Sequence, residues 1–152
     1  MTRPDPAGPT VGERVPRGQP PERRPHRAEL RVDADPLRVA TVRLLAADLA
    51  TRADYDFDSV SDLRMAVDEA CAALVRKAAP GAELECRIAV DPQRVEVTVV
   101  VDVPRGESLP TTSFGWKVLT TLADEVELLD GSDGEPATLG VRLVKVRPAP
   151  SA

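Results

Sequence analysis

Two alternating runs across a tight turn dictate the architecture. Leu84, Cys86, Ile88 and Val90 alternate with charged or small residues, Asp91-Pro92-Gln93 follow, and Val95, Val97, Val99 and Val101 alternate again. A period of two places each set on one face of a strand, so the spacing predicts a hairpin with one apolar face. Val100 and Val103 make the second strand apolar on both faces. A lone hairpin is marginal in water, and its apolar face needs a covering layer.

The flanking segments supply that layer. Asp35-Pro36 reads as an N-cap with proline in the first turn. Leu37, Ala40, Leu44 and Ala47 then fall on one helical stripe, with Leu45 and Leu49 beside it, and the helix is expected to run to about Arg52. A loop, Ala53–Asp58, holds Tyr55 and Phe57. Ser59 and Asp62 resemble the start of a capping box. Val60, Leu63, Val67, Ala70, Cys71 and Leu74 make a second stripe, ended by Pro80-Gly81. Upstream, Ala28, Leu30 and Val32 alternate with Arg27, Glu29 and Arg31 as a first strand. Downstream come a loop from Pro104 to Thr112 and a short helix from Ser113 to Asp124 offering Trp116, Leu119 and Leu122 for packing. A strand beginning with Val126 and Leu128, a turn at Gly131-Ser132-Asp133-Gly134, and a last strand with Leu139, Val141 and Leu143 complete the chain.

Helices do not strictly interleave with strands in this order, which argues against a doubly wound parallel sheet. The pattern predicts an α+β fold: a two-layer α/β sandwich whose mixed or antiparallel sheet is covered on one face by helices.

The 152 residues give room for one domain. Seven of the 15 prolines lie in residues 1–25 with almost nothing apolar, so this segment is expected to be a disordered tail. The domain is expected over 26–147, with 148–152 a disordered end. No run approaches the roughly 18 apolar residues of a membrane span, and no apolar stretch follows the first basic residues as in a secretory signal. A cytoplasmic protein is expected.

Residues 1–27 hold six arginines and three acids, whereas the remainder holds 14 basic and 22 acidic residues. An acidic body argues against nucleic acid as a direct partner and fits a protein with a basic surface. Cys71 and Cys86 lack metal-type spacing and are expected as buried, reduced thiols. The single histidine, His26, is placed in the tail, which excludes a histidine-based metal site or Ser–His–Asp triad.

The run Asp62-Leu63-Arg64-Met65-Ala66-Val67-Asp68-Glu69-Ala70-Cys71 resembles the helix of bacterial anti-sigma factors of the serine-kinase type. These belong to the GHKL superfamily, whose Bergerat ATP-binding fold is shared with histidine kinases and Hsp90 chaperones. The run from Ser113 to Glu127 is similar to the family's segment after the nucleotide lid, and Ala137 to Leu143 to its closing strand. The resemblance spans about residues 28–147.

It implies a nucleotide pocket. Glu69 matches the helix glutamate that acts as general base. Asp102 matches the adenine-binding aspartate, and Gly106, Gly115 and Thr138 match further nucleotide-contacting positions. The pattern is also broken. Ala73 stands where the family's Mg²⁺-binding asparagine belongs, and a hard cation needs oxygen ligands. Pro104 replaces the first glycine of the pattern that follows Asp102, fixing φ and removing a backbone donor, and Ala137 replaces a glycine. Glu69 is therefore expected as a vestigial base, with no metal held at Ala73 and ATP and Mg²⁺ not required as cofactors. The resemblance further implies an alternative sigma factor as partner, release by an anti-anti-sigma protein of the STAS type, and a homodimer. Alternative readings are an active serine-protein kinase acting on the anti-anti-sigma partner, and a structural GHKL-like module without nucleotide.

Overall fold

The structure, a computed structural model, describes residues 26–149. The expected tail at 1–25 and residues 150–152 of the expected C-terminal end lie outside the described residues. Strands are β1 (His26–Asp33), β2 (Glu83–Val90), β3 (Arg94–Asp102), β4 (Glu125–Gly131) and β5 (Thr138–Val146). Helices are α1 (Val39–Arg52), entered through a 3₁₀ turn at Pro36–Arg38, α2 (Phe57–Lys77) and α3 (Phe114–Leu122).

The strands form one sheet in the order β1-β2-β3-β5-β4, antiparallel at every pairing. Of the mixed and antiparallel arrangements, the second is the one adopted. The predicted hairpin is present: Ile88 pairs with Val97 and Cys86 with Val99. Val95, Val97, Val99 and Val101 are buried with Leu84, Cys86, Ile88, Val90, Leu139, Val141 and Leu143 beneath the helices. The other face carries Glu85, Arg87, Arg94, Glu96 and Arg142. Glu96 accepts from Arg142 at 2.7 Å and from Arg94 at 3.0 Å, so the helix-free face is largely a ladder of ion pairs. Gly140 lets strands meet there, because a Cβ would lie 2.9 Å from the Val99 carbonyl oxygen.

α2 buries Leu63, Val67, Ala70, Cys71 and Leu74 as its apolar periodicity predicts, with Ala66 added and Val60 only partly buried. Its start differs from the expectation. Asp56, not Ser59, is the N-cap and accepts from the Ser59 amide at 3.4 Å. Ser59 lies inside the helix, buried. The helix also stops at Lys77, before Pro80-Gly81.

α1 is the larger correction. Its buried residues are Val39, Val42, Ala46 and Ala50, and the expected stripe of Leu37, Ala40, Leu44 and Ala47 faces the other way. Leu37 is 82% and Leu44 60% exposed. The Val/Ala stripe, flanked by the partly buried Leu45 and Leu49, is the side that packs on the core. His26 is corrected as well: it is the first residue of β1 and not part of the tail.

A clamp closes the end of the domain farthest along the chain. Arg147 stacks over Tyr55 with 4.1 Å to the ring centroid. Its guanidinium donates to the carbonyls of Pro92 at 2.7 Å, Asp54 at 2.9 Å and Ala53 at 2.6 Å. The Tyr55 hydroxyl donates to the Asp91 carbonyl at 2.8 Å. One side chain thus joins the α1–α2 loop to the β2–β3 turn. Among the described residues no helix is long and apolar enough to cross a membrane.

Candidate functional site

Residues four, seven and eight apart share a helix face. On α2 this spacing lines up Glu69, Ala73, Arg76 and Lys77 along the wall of a cleft of about 330 Å³. Leu109 and Pro110 of the loop after β3, and Ser113, Phe114, Gly115, Trp116 and Leu119 at the start of α3, form the other walls. Ser113 caps α3 by accepting from the Trp116 amide at 3.2 Å.

Glu69 and Gly115 are brought together here. A Cβ on Gly115 would collide with Glu69 Oε1 and lie 3.4 Å from its Cδ. The carboxylate thus rests against the first turn of α3, where the exposed amides favour negative charge. Glycine leaves the space the carboxylate fills. No side chain among the described residues hydrogen-bonds Glu69.

Ala73 lies one turn further along the same face, without a donor atom. The rest of the lining offers the Ser113 hydroxyl, two cationic side chains and apolar groups. A divalent cation prefers several oxygens, and this donor set, with Arg76 and Lys77 near it, does not fit Mg²⁺. Among the described residues no three His, Cys, Asp or Glu side chains cluster as a metal site.

The other expected residues fall elsewhere. Asp102 and Thr138 are paired partners at the ends of β3 and β5. Val101 and Val103 point into the core, at 1% and 5% exposure, so Asp102 between them turns to the helix-free side and is exposed. Thr138 faces the same way, its Oγ1 sitting where a Cβ on Gly131 would be. Neither lines the cleft. Gly106 is exposed in the turn closed by the Glu107 amide on the Pro104 carbonyl, at 3.1 Å, and its φ of +84° suits glycine.

Arg76, Lys77 and Leu109 were not among the sequence candidates. The first two were readable as the seventh and eighth residues after Glu69. Leu109, 9% exposed, comes from an irregular loop with no periodicity to mark it. Lys77 also meets Glu107 at 3.6 Å, which ties that loop to the end of α2.

Both thiols lie in the core. Burial pushes the Cys86 thiol up to about 12 and Cys71 higher still.

The helices on one sheet face, with a cleft between the second helix and the helix after the β3 loop, define a class of protein. The sequence profile of the histidine kinase-like ATPase domain matches residues 32–141, and the chain belongs to that family. Among named relatives, the anti-sigma-F factor RsbW of Mycobacterium tuberculosis strain H37Rv is 41% identical over 128 residues, covering 81% of this chain and 75% of that protein. The serine-protein kinase RsbW of Bacillus subtilis is 36% identical over 74 residues, covering 47% of this chain and 46% of that one. The crystal structure of the RsbU and RsbW domains of Rv1364c from Mycobacterium tuberculosis superposes with a TM-score of 0.57 at 18% identity, over 80% of this chain. This chain spans 34% of that protein, and the likeness is one of fold.

Proposed function

We propose that the protein is an anti-sigma factor that binds an alternative sigma factor in the cytoplasm, keeps it from RNA polymerase, and does so without phosphoryl transfer. The 41% identity to an anti-sigma-F factor supports the sigma-binding half. The second half is carried by one observation: Ala73 stands one turn after Glu69 in a cleft whose walls supply a single carboxylate. Phosphoryl transfer depends on metal placement as well as charge stabilisation, and this lining lacks the oxygen ligands that would place the metal.

Release then rests on competition by an anti-anti-sigma protein of the STAS type for an overlapping surface. The similarity to RsbW kinases keeps a second reading in view, in which ATP and Mg²⁺ bind and the anti-anti-sigma serine is phosphorylated.

The two readings separate in one titration. Purified protein is titrated with an alternative sigma factor of its own organism, with and without Mg·ATP. Equal affinity in both, and no label on the STAS partner from γ-labelled ATP, is the expected result. Sigma binding only with Mg·ATP, or label on the partner's serine, would overturn the metal-independent reading. No sigma binding under either condition would leave a GHKL-like module of other use. Restoring the lost groups with Ala73→Asn and Pro104→Gly is expected to raise Mg·ATP affinity if the pocket is merely eroded.

A further inference from the structure

The cleft has walls of two characters. Leu109, Phe114, Trp116 and Leu119 supply apolar surface, and Arg76 and Lys77 supply positive charge at the C-terminal end of α2. Its volume of about 330 Å³ lies at the small end of ligand pockets, which run roughly 300–1,000 Å³. Phe114 is 83% exposed, so its ring stands at the mouth, while Leu119 at 2% exposure forms the floor. An apolar surface thus runs from water into the cleft, and covering it is favourable in proportion to its area.

Three charged side chains line the cleft, and two of them already have a counterpart. Glu69 rests against the first turn of α3, where unpaired amides offset its charge. Lys77 meets Glu107 at 3.6 Å. Arg76 is exposed and makes no ion pair among the described residues. One unpaired guanidinium answers one negative charge, and its planar fork matches a carboxylate through two parallel hydrogen bonds.

This charge count disfavours a polyphosphate. A triphosphate brings several negative charges, and the lining lacks the oxygens for a metal that would share them. Asp102, matched to recognition of a base, is on the other side of the sheet, so the acceptor expected for a purine is missing from the cleft.

Resting on the metal-independent reading above, we propose that the cleft is a binding site for a small apolar monocarboxylate. Arg76 takes the carboxylate, and the apolar body lies along Leu109, Phe114, Trp116 and Leu119. A short acyl chain or a single aromatic ring with one acidic group has this chemistry.

Trp116 is the only tryptophan of the chain and lines the cleft, so its emission reports occupancy. The full chain is titrated with octanoate, with 3-phenylpropanoate, and with 1-octanol as an uncharged counterpart. Both carboxylates are expected to shift Trp116 emission saturably and to raise the melting temperature with concentration. Octanol is expected to bind about fivefold more weakly than octanoate, the worth of an ion pair to an exposed side chain. Arg76→Gln is expected to weaken both carboxylates about fivefold and leave octanol unchanged, which a general loss of fold would not do. Ala73→Leu, which fills part of the cleft, is expected to weaken all three probes. No saturable response to either carboxylate would overturn the proposal. So would octanol binding as tightly as octanoate, or octanoate binding indifferent to Arg76→Gln. Failure of the carboxylates in a chain whose sigma-factor affinity ignores Mg·ATP would overturn this proposal alone. Displacement of octanoate by Mg·ATP, with label passed to the STAS partner, would overturn the metal-independent reading and this proposal with it.

Discussion

Glu69 and Gly115 meet in the cleft beside α3, whereas Asp102 and Thr138 meet on the far side of the sheet. Both pairs were expected in one nucleotide pocket. The difference lies in the geometry of the two kinds of element. A helix face is broad, and residues three, four, seven or eight apart all reach it. A strand alternates every residue, so an offset of one reverses the face. Val101 and Val103 take the inward positions at the end of β3 and leave Asp102 outward.

The largest expected effect sharpens this contrast on α2 itself. Leu74 is fully buried, and its neighbour Ala73 lines the cleft. Leu74→Ala is expected to lose about 2–5 kcal/mol in urea unfolding, and Ala73→Asn no more than about 1 kcal/mol. Comparable losses at both sites would mean that α2 is rotated and the cleft assignment fails.

The next effect probes the contact between Glu69 and Gly115. Removing a helical glycine ordinarily gains about 1 kcal/mol. In Gly115→Ala that gain is opposed by the new Cβ against the Glu69 carboxylate. With Glu69→Ala present, Gly115→Ala should stabilise by about 1 kcal/mol, and in the wild type it should not. A double-mutant cycle giving a coupling within about 0.3 kcal/mol of zero would separate the two residues.

On the helix-free face, the hydrogen bond from Arg142 holds the Glu96 carboxyl below the usual range, aided by Arg94. A depressed carboxylate contributes stability above its unfolded pKa and loses it as pH falls through the folded value. Both partners are part-exposed, so Arg142→Ala should cost under about 1 kcal/mol at neutral pH. The gap from wild type should close on acidification below about pH 4, the ordinary glutamate range. A gap that widens there would reverse the assignment.

Smaller still is the response of the thiols. Native Cys71 and Cys86 are buried and held protonated, so a thiol reagent at neutral pH should label neither until the chain is unfolded. Rapid native labelling of either would show that the core opens. The smallest effect is Asp102→Ala, expected within about 0.5 kcal/mol of wild type and without influence on any ligand of the cleft. A ligand whose affinity falls when Asp102 is removed would bring the two regions back into one site.

Much of the fold was written in local patterns. Strict alternation from Leu84 to Val101 specified the hairpin, because a strand's faces follow from its dihedrals alone. Element order and the buried face of α2 followed from spacing, and Glu69, Ala73, Arg76 and Lys77 share a face by helical arithmetic. Gly115 beside Glu69 was not legible from spacing, since 45 intervening residues separate them.

What only the tertiary structure decided were the choices between two locally acceptable answers. α1 has an apolar row on each side, Leu37–Leu44 and Val39–Ala50, and only the packing of the helix on the core decided that the second row, with Leu45 and Leu49 beside it, is buried. Asp56 and Ser59 can each cap a helix, and burial of Ser59 settled the matter. Asp102 follows a valine-rich strand that is apolar on both faces, so only the position of the helices fixed which way its carboxylate turns. Local pattern sets periodicity, and the phase of that periodicity is set by what each face is packed against.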